Sequence, residues 1–192
     1  MVPLTSYVTI GIFFLFSRIG DSNLSEITPR IINGTFACPG QFPFMLKKHL
    51  KLNEFVKQIR LTVRETVYPE GTEGRVMGWG YDIGNPLSAS CLQYAEINTF
   101  SDDYCGSLYD DNEQISPSLQ ICAGVSNGGR GSCIGDAGGP FVVNRHQAGI
   151  NSWSQKPCAS PGNPDVFTRV SAYINWIKNK TGLQFKEAPG AV

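Results

Sequence analysis

The stretch Gly131-Ser132-Cys133-Ile134-Gly135-Asp136-Ala137-Gly138-Gly139-Pro140 constrains this chain more than any other. Four of its ten residues are glycine. That density fits a backbone that turns tightly and aims its N–H groups inward, which residues without a Cβ do at least cost. The remainder is ordinary for one domain: 192 residues, 41% apolar. A formal net charge of zero argues against nucleic acid or an anionic membrane as the obvious partner. The apolar run from Tyr7 to Phe16 has the length of a signal-peptide core and is too short to span a bilayer, although no Lys or Arg precedes it. Met1–Ser17 is therefore expected to be a signal peptide and the protein secreted. Six cysteines fit that compartment, because an even count in an exported chain suggests disulfides. A metal site is the rival use of cysteine, but Cys-x-x-Cys is absent and only two histidines are present. Neither a metal nor a cofactor is expected.

Taken in order, residues 18–30 are short and polar, as a propeptide would be, and end on Arg30 before Ile31-Ile32-Asn33-Gly34. Arg75–Gly80, Leu92–Asn98, Leu119–Gly124, Phe141–Asn144, Ala148–Trp153 and Asp165–Val170 read as strands. Ser101 is placed to cap a short helix. Ser171 is expected to cap a second helix whose apolar face is Tyr173, Ile174, Trp176 and Ile177. Residues 183–192 read as a loose tail.

The motifs Ile31-Ile32-Asn33-Gly34, Gly78-Trp79-Gly80, Gly135-Asp136-Ala137-Gly138-Gly139-Pro140, Ser152-Trp153-Ser154 and Phe167-Thr168-Arg169-Val170 come in an order that resembles the trypsin/chymotrypsin family of serine proteases. The resemblance covers residues 31–182 with one large internal gap after Met45, where the family's Thr-Ala-Ala-His-Cys and Asp-Ile-Ala-Leu segments are absent. It implies an all-β fold. The second six-stranded antiparallel barrel is largely retained, most of the first barrel is missing, and a C-terminal α-helix closes the chain. It also implies disulfides Cys133–Cys158 and Cys105–Cys122, and Cys38–Cys91 as a third, since some family members join the activated N-terminal segment to the second barrel near these places.

The same resemblance assigns roles. Acyl transfer in this family needs a hydroxyl, an imidazole within reach and a carboxylate that fixes the imidazole's tautomer. Ala137 occupies the serine's place, and a methyl group is not a nucleophile. His49 lies in Lys-Lys-His-Leu-Lys, which does not match the base segment, and His146 falls between two late strands; both read as solvated. No aspartate follows the orienting pattern. A missing block and a changed serine codon are independent lesions, so restoring one leaves the other. Ser132 and Ser152 have no base beside them and read as structural. Gly135 and Ala137 match the donors of the oxyanion hole. Arg30 is a basic cleavage site for a trypsin-like activator, after which the ammonium of Ile31 is expected to pair with Asp136. Gly131, Ser132, Ser152, Trp153, Ser154 and Asp165 match positions of the specificity pocket. The acid that trypsin-like members carry at the place of Gly131 appears here at Asp165 instead, favouring a basic side chain; the alternative is that Asp165 caps a turn and faces water.

The sequence therefore points to a secreted, inactive homologue that binds protease substrates, inhibitors or partner proteases. The alternatives are a serine endopeptidase with an erroneous or truncated sequence, and a truncation product without function. Asn23, Asn33 and Asn179 stand in glycosylation sequons. Lys47, Lys48, Lys51, Lys57 and Arg60 form a basic cluster that reads as a solvated face.

Overall fold

The structure, a computed structural model, describes residues 31, 32, 34–38, 41, 42, 57–62, 67–81, 91–108 and 115–183. Among the described residues eight strands form in chain order: β1 (Thr35–Phe36), β2 (Arg60–Leu61), β3 (Glu73–Gly78), β4 (Gln93–Thr99), β5 (Gln120–Gly124), β6 (Pro140–Val143), β7 (His146–Trp153) and β8 (Asp165–Arg169). Helix α1 (Asp102–Ser107) follows β4. After β8 a 3-10 turn, Val170–Tyr173, leads into α2 (Ile174–Thr181).

Strands β4, β3, β6, β7, β8 and β5 pair in that order, and β5 returns to β4 through Asn98–Gly124 and Thr99–Ala123. The result is a closed, six-stranded antiparallel barrel, the architecture the sequence implied. Closure removes the open sheet edge that would otherwise invite association. Strand β1 adds to β4, and β2 lies parallel to β7.

Side-chain alternation fills the barrel. Gln93, Ala95, Ile97 and Thr99 of β4 all point inward. Val76, Ile121, Val143, Ala148 and the stacked Phe141–Phe167 pair, with ring centroids 4.9 Å apart, complete the interior. Gly74 and Gly149 leave room for those rings, since a Cβ at either would run into Phe141 or Phe167. Every one of these core side chains is buried, because a small closed barrel packs against itself.

The helices match the sequence unevenly. Ser101 caps α1 as expected, its Oγ accepting from the Tyr104 N–H at 3.3 Å, with Asp102 and Asp103 in the first turn where negative charge suits the helix dipole. Ser171 does not cap α2. It is buried inside the 3-10 turn, and α2 starts at Ile174 without a side-chain cap. The expected apolar face is also corrected: Ile174 and Ile177 pack with Leu61 and Val170, whereas Tyr173 and Trp176 are exposed, Trp176 by 60%. The 3-10 entry rotates the start of α2, so only the i, i+3 pair meets the barrel.

At the far end of β8 the buried Arg169 guanidinium donates to the carbonyls of Pro117 and Gln120. It also pairs with Asp102 Oδ1 at 2.7 Å, tying β8 to α1.

Candidate functional site

The glycine-rich stretch forms a turn between β5 and β6, stitched to both neighbouring strands. Gly138 donates to Asn151 O and Asn151 donates to Gly139 O, fixing the turn against β7. Gly139 approaches the Met77 carbonyl of β3 so closely that a Cβ would not fit. Gly135 and Gly138 sit at φ +87° and +85°, in the left-handed region that glycine reaches without a steric penalty. The N–H groups of Gly135 and Ala137 donate to no described residue, and both residues are exposed. Two outward amides beside a tight turn suit an incoming carbonyl oxygen. Between them projects only the methyl group of Ala137.

Directly beneath the turn lies the Asp136 carboxylate, 1% exposed. Oδ1 accepts from the Gly80 N–H at 2.8 Å and Oδ2 from the Cys133 N–H at 3.0 Å. Gly80 is glycine for a visible reason: a Cβ there would collide with that carboxyl group. Burial pushes the Asp136 carboxyl up to about 6, opposed by the two amide donors.

A second carboxylate stands at the first residue of β8. Asp165 is 2% exposed, and its Oδ2 accepts from the Ser132 N–H at 2.6 Å. Its Oδ1 is buried with no hydrogen-bond partner. Burial pushes this carboxyl up to about 7. The Ser132 amide and the Ser132 and Ser154 hydroxyls favour the ion, and the Asp136 charge disfavours it. The turn-capping, water-facing alternative for Asp165 is therefore set aside. The acid lies against Gly131, where an added Cβ would stand 3.0 Å from Oδ2. Disulfide Cys133–Cys158 and the bond from Gly129 N–H to Ala159 O hold the two loops around it together. Of the other expected pocket positions, Ser132 is buried, Trp153 and Ser154 are half-buried, and Ser152 is exposed on β7.

Ile31 is fully buried in the barrel core, and Ile32 bridges to Gly131, its N–H donating to Gly131 O at 3.1 Å. In the intact chain the Ile31 N–H donates to Gln93 Oε1 at 3.1 Å, not to Asp136. Gln93 escaped the sequence reading. Its signal was present, because an amide on the inward side of an alternating strand has to find a partner.

No triad is assembled among the described residues. His146 does not lie in a loop; it opens β7, with Nδ1 2.8 Å from Asn144 O, and His49 falls outside the described residues. No group of three metal-ligating side chains occurs among the described residues. Disulfides Cys105–Cys122 and Cys133–Cys158 form as implied. The Cys38–Cys91 bridge does not form: both residues are exposed, and Cys38 carries a free thiol. The last ladder contact is Ala37 N–H to Leu92 O, one residue short of either cysteine, and beyond it the Cys38 N–H turns to Gln41 Oε1 at 2.8 Å. Arg30, Asn23 and Asn33 fall outside the described residues, as do Lys47, Lys48 and Lys51, whereas Asn179 is exposed on α2 and Lys57 and Arg60 are exposed.

A family model for trypsin matches residues 43–177, more than half of the chain. The chain belongs to the trypsin family. Human kallikrein-14 is 36% identical over 135 residues, covering 69% of this chain and 48% of the relative. An inactive serine proteinase from Crotalus adamanteus venom is 38% identical, covering 57% and 42%. Rat submandibular glandular kallikrein-3 is 30% identical over 183 residues, covering 83% of this chain and 94% of the relative. Among solved structures, neuropsin from mouse brain superposes with a TM-score of 0.59 at 32% identity, covering 68% of this chain and 56% of neuropsin. The chain thus spans about half the length of several relatives that it matches. What it shares with them is the trypsin-family barrel and its loops. No helix among the described residues is long and apolar enough to cross a membrane.

Proposed function

We propose that this trypsin-family protein is a secreted binding homologue without peptidase activity. Ala137 carries the reading: the turn keeps its amides and its buried carboxylate, yet presents no group that can attack a carbonyl. Losing the nucleophile removes the covalent route, and what outward amides alone contribute is small beside it. The printed name of the Crotalus relative marks an inactive protein with the same family likeness. Secretion is supported by the N-terminal apolar run and by the two bridged cysteine pairs.

Binding does not require a triad. Asp165 beside Gly131 offers an anionic seat for a basic side chain of a substrate, an inhibitor or a partner protease. An activating protease with trypsin-like preference would cut after Arg30, and the new ammonium of Ile31 would move from Gln93 toward Asp136.

The test uses the full chain, before and after limited cleavage at Arg30. Peptidyl-lysine and peptidyl-arginine amides should show no turnover, and a fluorophosphonate should leave the protein unlabelled, while an organic cation binds with Asp165 intact. Turnover that disappears with a serine-directed inhibitor would sink the binding-only reading and favour an endopeptidase.

A further inference from the structure

Helix α2 turns Ile174 and Ile177 onto Leu61 and Val170 and leaves its other side open. Trp176, 60% exposed, is the most exposed aromatic side chain among the described residues, and Tyr173 stands three residues before it. Together they make an aromatic strip along the helix. One turn further on lies Asn179, exposed, with Lys180 and Thr181 completing a glycosylation sequon. Helical side chains lean back toward the N-terminus, so a group attached to Asn179 lies over the turn that holds Trp176. Helix positions three apart have Cβ atoms about 5–6 Å from one another, within reach of a sugar ring.

The folded helix does not present this sequon to an enzyme. Asn179 to Thr181 is its last turn, and the Thr181 hydroxyl donates to Ile177 O at 2.7 Å. Yet α2 is eight residues long and starts without a side-chain cap. Helices shorter than about 12–15 residues are marginal alone in water, so this one waits for Leu61 and Val170 to receive Ile174 and Ile177. Until then the sequon is open chain.

We propose that Asn179 carries an N-linked glycan, added before α2 forms, whose first N-acetylglucosamine packs on Trp176 and covers the aromatic strip. Transfer joins Asn179 Nδ2 to the anomeric carbon of a polyprenyl-diphosphate-linked oligosaccharide. That carbon's bond to the diphosphate breaks, the amide gives up one proton, and the polyprenyl diphosphate leaves. This rests on the reading of the chain as secreted, which brings it to that carrier.

The experiment is expression of the full chain in a eukaryotic secretory host, with mass spectrometry of the peptide carrying residues 179–181. Protein from the medium should bear a glycan there, lost on treatment with peptide-N-glycosidase. Thr181→Ser should keep the glycan and Asn179→Gln should lose it. Acrylamide should quench tryptophan fluorescence more strongly in Asn179→Gln than in the parent chain, and a Trp176→Phe background should abolish that difference. Secreted protein with a bare Asn179 would overturn the site while leaving secretion standing. A glycan at Asn179 with equal quenching would overturn the packing on Trp176 alone. A chain retained in the cytosol would overturn the secretion reading and the site together.

Discussion

The turn beneath Ala137 and the wall at the start of β8 each bury one carboxylate, and the two are solved in opposite ways. Asp136 has an amide donor for each oxygen and sits under a Gly80 that leaves it just enough room. Asp165 has one amide donor for one oxygen and nothing bonded to the other. A buried polar group with all its partners holds a structure together; one left partly unmet costs stability and persists where it serves a ligand. By that criterion the carboxylate beneath Ala137 is scaffold, and the one at the β8 wall is the side of the proposed site with an oxygen left unmatched.

The comparison breaks most easily by removing each acid in turn. Asp136→Ala leaves the Gly80 and Cys133 amides buried without an acceptor and should cost about 2–5 kcal/mol, read from urea unfolding. Asp165→Asn keeps the shape, relieves a buried charge and should shift stability by less than about 1 kcal/mol at pH 8. Equal costs would show that the two carboxylates are not scaffold and site. Next in size, Cys133→Ala/Cys158→Ala removes the clamp that joins the two regions, whose cysteines are 25 residues apart, and should cost about 2–4 kcal/mol.

pH sharpens the contrast. Both carboxyls have folded-state values above the ordinary 3.8, at about 6 for Asp136 and about 7 for Asp165. Over that interval the folded chain holds more protons than the unfolded one, so the contribution of each is full below about pH 4 and declines as pH rises. It levels off past about 6 for the first and about 7 for the second. Asp165→Asn should therefore flatten the fall of the unfolding midpoint up to about pH 7, and in proportion most above about pH 6, where much of the Asp136 contribution has already gone. An unchanged slope there would show that Asp165 is already ionised by pH 6. The smallest effect belongs to Ser101→Ala, which uncaps α1 and loosens its hold on Arg169 at the opposite end of β8. Thermal unfolding should report about 1 kcal/mol, with cation binding at Asp165 unaltered.

Much of this was legible because it is local. Alternating burial in β4, the cap at Ser101 and the glycines of the turn follow from covalent geometry over a few residues, and each appears where the sequence placed it. Misreadings arose where an element's environment, not its own pattern, sets the outcome. Trp176 and Tyr173 fit an apolar helix face by spacing, but the 3-10 entry aimed Ile174 and Ile177 at the barrel instead. Gln93 read as an ordinary strand residue until Ile31 came to lie against it from 62 residues away.

The sequence by itself settled that position 137 offers no nucleophile, since a methyl group has no lone pair whatever surrounds it. It also settled the barrel, because strand periodicity and turn glycines are properties of the chain at short range. Only the tertiary structure decided what the two acids are. Asp136 meets Gly80 across 56 residues and Asp165 meets Ser132 across 33, and such partners are chosen by packing. Whether a carboxylate is a strut or an open seat depends on which donors packing delivers, and residue identity does not carry that information.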